Sequence, residues 1–153
     1  MKSKPIDPRG PRFGATITSV ALLVVIWLAL PGAASPVIDA AWWTLVAVTA
    51  LFAWGAIFGP ARHPYGWLFR FAVRPFLGAP EFLEEQAPPR FAQVVGLFVS
   101  LIGVIMHLIG VPYALVVAAS AAFIAAFLNA AFGLCLGCEI YAALPTRTRS
   151  SSA

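Results

Sequence analysis

Ala114-Leu-Val-Val-Ala-Ala-Ser-Ala-Ala-Phe-Ile-Ala-Ala-Phe-Leu-Asn-Ala-Ala-Phe-Gly133 contains no charged residue and one amide, and Leu134-Cys135-Leu136-Gly137-Cys138-Glu139 follows it at once. An uncharged run of this length spans the ~30 Å hydrocarbon core of a bilayer as a helix. It delivers the two cysteines of the chain, spaced Cys-x-x-Cys, to a membrane surface. Hydrophobic residues make up 61% of the 153 residues and charged ones 10%, against ~25% charged in soluble domains. A soluble fold of this size cannot hide so much apolar surface, so lipid must cover part of it. The net charge of +4 does not point to nucleic acid, because the basic residues lie between apolar segments; phospholipid headgroups account for them.

Working outward, Tyr113 to Gly133 (112–133 with its leading proline) pairs with a preceding span, Phe91 to Gly110, across the short turn Gly110-Val111-Pro112, so the two form an antiparallel hairpin. Two earlier spans fall at 13–31 and 40–59, the second entered through Trp42 and Trp43, which suit a membrane interface. Gly55-x-x-x-Gly59 offers a close helix approach. A signal peptide cleaved near Gly32-Ala33-Ala34 is the rival reading of the first span; against it, the chain leads directly into the next span. The proline-rich residues 1–12 read as an irregular lead-in, with residues 13–144 as the membrane domain. Pro88-Pro89 reads as a break, and residues 145–153 as a loose tail.

All ten Lys and Arg fall in the lead-in, the 60–91 connection or the tail. With four spans these regions share one side, which the positive-inside rule makes cytoplasmic, termini included. Within the connection, Arg70 and Arg74 are four apart among aromatics, the pattern of a short interfacial helix. Glu81, Glu84 and Glu85 follow as an acidic patch. Solvation explains these charges; docking of a soluble partner is the alternative. The predicted fold is all-α: a polytopic membrane protein of four transmembrane helices with a short interfacial helix in the central cytoplasmic connection.

Gly96, Ser100, Gly103, His107 and Gly110 are spaced to lie on one helical stripe. Small residues mark close helix packing, so His107 should face the bundle. An intramembrane histidine is a functional candidate; a neutral ring hydrogen-bonded across the interface is the plainer reading. Ala118, Ala122, Ala125 and Asn129 form the matching stripe on the next span, with Asn129 as interhelical glue. His107 and Asn129 belong to opposite ends of the hairpin, ~20 Å apart at 1.5 Å per residue, and do not form one site.

Cys135 and Cys138 are spaced to form a disulfide, share a persulfide or hold half of a metal site. A reducing cytosol disfavours a standing structural disulfide. Only Glu139 and His63 offer further ligands, so no metal or other cofactor is assigned. An unbroken helix would place the thiols at its C-terminal end, where the dipole opposes thiolate; a break at Gly133 would let Cys135 start a fresh turn through Glu139 to Ala143. Inert packing of both thiols stays open.

Three stretches together, Ile6-Asp7-Pro8-Arg9-Gly10-Pro11-Arg12-Phe13-Gly14, Pro88-Pro89-Arg90-Phe91-Ala92-Gln93, and Asn129-Ala130 through Phe132-Gly133-Leu134-Cys135-Leu136-Gly137-Cys138-Glu139, resemble the small bacterial membrane proteins of the domain of unknown function 4395. The similarity covers about residues 5 to 144. It implies four spans in a bacterial cytoplasmic membrane and, by genomic company, thioredoxin-like or rhodanese-like partners; it carries no catalytic residues. The leading expectation is disulfide or persulfide exchange at Cys135 and Cys138 with such a partner docked on the 60–91 connection. A transport or channel component for a small sulfur-containing solute, in an oligomer and using His107 and Asn129, is the second expectation, and a non-enzymatic scaffold the third.

Overall fold

The computed structural model describes residues 5–32 and 38–144. The tail expected over 145–153 and the cleavage-like Ala33-Ala34 lie outside them. The described chain is helical, with four helices long and apolar enough to cross a membrane: α1 (Arg9–Ala29), α2 (Ala40–Phe58), α5 (Ala87–Leu108) and α6 (Ala114–Phe132). Between α2 and α5 lie two short helices, α3 (Pro64–Leu68) and α4 (Arg74–Leu77), and after α6 comes α7 (Leu136–Ala143). Each long helix packs on the next in sequence and α1 packs on α6, closing an up-down-up-down bundle.

Two helix starts differ from the sequence expectation, and proline is the reason for both. The first helix begins at Arg9 and the third at Ala87, so Pro11, Pro88 and Pro89 sit in first turns. There the missing N–H costs nothing, because no carbonyl lies a turn earlier to receive it. Pro88-Pro89 opens the helix instead of breaking the chain. Arg90 then donates from Nε to the Ala56 carbonyl at 2.7 Å and from Nη2 to the Ile57 carbonyl at 3.0 Å, a cation satisfying the last carbonyls of α2.

The lead-in is likewise ordered from Pro5. Ile6 and Glu84 exchange two backbone hydrogen bonds of 2.8 Å. Asp7 pairs with Arg9 at 3.0 Å, and Arg9 reaches on to the Leu77 and Gly78 carbonyls. Burial opposes ionisation of Asp7, but hydrogen bonds from the Arg9 side chain and backbone, with the charges of Arg9 and Arg74, hold its carboxyl below the ordinary value.

The interfacial helix of the connection is present as one helical segment, α3 and α4 joined by a wide π turn, Phe69–Val73. Pro75 cannot donate to the carbonyl four residues back, and the wider turn absorbs the mismatch. Tyr65 and Phe69 rest on Gly14 and Gly10 of α1, burying Phe69 to 3% exposure while Phe71 and Phe76 stay 76% and 87% exposed. His63 caps α3. Its Nδ1 accepts from the Tyr65 N–H at 3.2 Å, which puts the ring proton on Nε2, 3.1 Å from the Leu51 carbonyl. Burial lowers its pKa, against the raising effect of the Leu51 bond.

The small-residue stripe on α5 is an interface, shared between two neighbours. A Cβ at Gly103 would collide with Ala118 of α6, whereas one at Gly96 would lie 2.6 Å from the Phe52 ring of α2. Gly55 makes room in the same way for the Gln93 side chain. Ser100 is fully buried and returns its hydroxyl to the Gly96 carbonyl at 2.8 Å. The filled core, including Leu22, Val25, Leu45, Val104, Leu115 and Ala119, lies in the half of the bundle that holds the α1–α2 and α5–α6 connections.

Candidate functional site

At the other end α6 stops where Gly133 turns left-handed (φ 70°), a conformation that favours a residue without Cβ. Leu134 N–H and Gly133 N–H return to the Leu128 and Asn129 carbonyls. The chain then leaves the helix axis, and Cys135 becomes the N-cap of α7, its Sγ accepting from the Cys138 N–H at 3.2 Å. This is the helix break at Gly133, and it reverses the electrostatics of a continuous helix: the sulfur sits at the positive end of a dipole. The two sulfurs are bonded as a Cys135–Cys138 disulfide, with Cα atoms 5.2 Å apart. The start of a helix brings residues three apart within the range a disulfide spans, whatever the surrounding redox poise.

The short helix is held by α5. A Cβ at Gly137 would fall 2.5 Å from the Ala92 Cα, so the two backbones touch, and Phe91 and Tyr141 pack ring to ring at 5.7 Å. This clamp sets the disulfide over the ends of α1, α5 and α6. Beneath it lies a cavity of about 320 Å³ that both cysteines line. Its walls are mostly the small side chains of α5 and α6; its polar groups include Arg12, Gln93 and Asn129.

The structure therefore brings Cys135, Cys138 and Asn129 to one site and leaves His107 apart from it. His107 is buried against the bundle at the opposite end of α5 and is not among the cavity residues. Asn129, expected as glue, makes no side-chain hydrogen bond to another described residue. Arg70, Arg74, Glu81, Glu84 and Glu85 are all exposed in the connection. Glu84 also lines the cavity. No group of three or more His, Cys, Asp or Glu among the described residues could hold a metal ion; of the His63 ring nitrogens, Nδ1 is engaged in the α3 cap and Nε2 with the Leu51 carbonyl. Sequence reasoning missed Arg12 and Gln93. Arg12 was counted as a topology signal, yet its guanidinium carbon lies 3.5 Å from the position of a Gly133 Cβ, beside the turn that leads to Cys135.

The family described as "Domain of unknown function (DUF4395)" matches residues 6–145, from the Ile6 bridge to just past α7. The chain belongs to the DUF4395 family. That match spans the four long helices, the connection and the cysteine pair as one unit, and so takes in every part of the DUF4395 site described above. No curated protein and no solved structure matches the chain.

Proposed function

We propose that this DUF4395 protein is a membrane-bound dithiol that exchanges a disulfide or a persulfide with a thioredoxin-like or rhodanese-like protein. The observation that carries the reading is the place of Cys135 at the N-terminus of α7, within bonding reach of Cys138. After reduction, the Cys138 N–H and the dipole of α7 favour negative charge on the Cys135 sulfur, which makes it the attacking group. Cys138 then resolves the mixed disulfide by attacking the Cys135 sulfur and releasing the partner thiolate. The positive-inside distribution supports a cytoplasmic place for this end, where the exposed charges of the connection would meet the partner.

Full-length protein carrying Cys138→Ser should hold a covalent, reductant-reversible adduct with a thioredoxin-like or rhodanese-like partner, and Cys135→Ser should hold none. Absence of any adduct from Cys138→Ser, with both thiols inert to small disulfides, contradicts the reading.

A further inference from the structure

A dithiol that oxidises other thiols must pass two electrons on, and the cavity beneath the disulfide indicates what receives them. Its walls are apolar and built from short side chains, among them Ala122, Ala125 and Gly96. They leave a slot of a size that suits a single ring system, at the small end of ligand pockets. Beside the Glu84 carboxylate and the Thr18 hydroxyl, its polar groups include three donors of the kind that address carbonyl oxygens, Arg12, Gln93 and Asn129. The side-chain amides of Gln93 and Asn129 make no hydrogen bond to other described residues, and the Arg12 guanidinium forms no ion pair among them. A site for a lipid tail would have no use for three such groups, and a site for a small anion would not be walled by alanine. Ala121 and Ile140 line the cavity and are themselves exposed, so the cavity is open at that point.

We propose that the cavity binds the ring of a membrane-soluble quinone, which reoxidises the Cys135–Cys138 dithiol. The inference rests on the exchange reading above. Two S–H bonds break and one S–S bond forms. The two electrons enter the quinone ring, and the two protons end on its carbonyl oxygens, giving the quinol. Arg12 stabilises the negative charge that develops on the nearer oxygen as electrons arrive, and the amide of Asn129 holds the ring in place.

The test uses the full chain in lipid nanodiscs, reduced, freed of reductant and mixed without oxygen with decylubiquinone. One quinol should form for every two thiols lost. Arg12→Gln and Ala125→Phe should each slow this about tenfold, the worth of one charge-assisted hydrogen bond or of a filled slot, with folding checked separately by thermal melting. Independently of any variant, a photoreactive azidoquinone should label residues 121–129 of the wild-type protein, and excess decylubiquinone should suppress the label. Quinol formation at wild-type rate in both variants, or label confined elsewhere, overturns the proposal. If hydroxyethyl disulfide oxidises the dithiol but the quinone does not, the quinone site is refuted and the exchange reading stands. If neither oxidises it, both fall.

Discussion

The two halves of the bundle are built on opposite plans. In the half that holds the α1–α2 and α5–α6 connections, Leu22, Val25 and Leu45 are completely buried and the Gly103–Ala118 approach leaves no gap between α5 and α6. In the other half the close contacts are those of Gly96 with Phe52 and of Gly137 with Ala92; between the alanines of α6 and the facing residues of α5 and α1, beneath α7, a cavity of about 320 Å³ remains beside a disulfide. In lipid there is little hydrophobic drive to bring helices together, so contact itself must hold them. One half supplies that contact. The other is thereby free to stay hollow, and the cysteine pair sits there.

The largest expected effect comes from the closest contact. Gly103→Leu drives a side chain into Ala118, and overpacking of that kind costs about 3 kcal/mol or more; the variant should fail to reach a folded, monodisperse state in detergent. Next, Leu22→Ala should destabilise by about 2–5 kcal/mol through the cavity it leaves, whereas Ala125→Val in the hollow half should stay within about 1 kcal/mol of the parent, because space already exists for its methyl groups. Chemical denaturation of both variants measures the contrast directly. Equal losses would erase the distinction between the halves.

A smaller effect belongs to the corner that joins α2 to the interfacial segment. Burial favours neutral His63, so its folded pKa lies below the ordinary 6.5 and the unfolded chain takes up a proton more readily. The stability contributed by His63 is therefore complete above about pH 6.5 and is lost as the pH falls below it. His63→Ala should remove this dependence along with the cap, at a cost of about 1 kcal/mol. Proteolysis of the 60–77 segment as a function of pH reads both; a pH-independent rate in the parent would contradict the account.

How far the sequence reveals this arrangement depends on whether a feature is local. The four spans are legible because each is a continuous uncharged run, and the Gly133 break because a glycine at a helix end needs no partner to act. The same local reading misplaces two helix starts, because proline, a breaker inside a helix, is tolerated in the first turn. The α5 stripe is legible as an interface, but not that Gly96 receives Phe52 from α2 while Gly103 receives Ala118 from α6. That division depends on how the helices cross. The cavity is invisible for the same reason: Arg12, Gln93 and Asn129 belong to three separate helices, and only the seat of α7 on Ala92 makes them neighbours of the cysteines.

The most direct test of the claim that the hollow half is a thiol site is competitive alkylation of the reduced full-length protein with limiting iodoacetamide, each cysteine quantified by mass spectrometry. With the Cys135 sulfur at the N-terminus of α7, Cys135 should be modified about tenfold faster than Cys138 at neutral pH. Equal and slow modification of the two, no faster than that of the unfolded chain, would show inert packing and contradict the account.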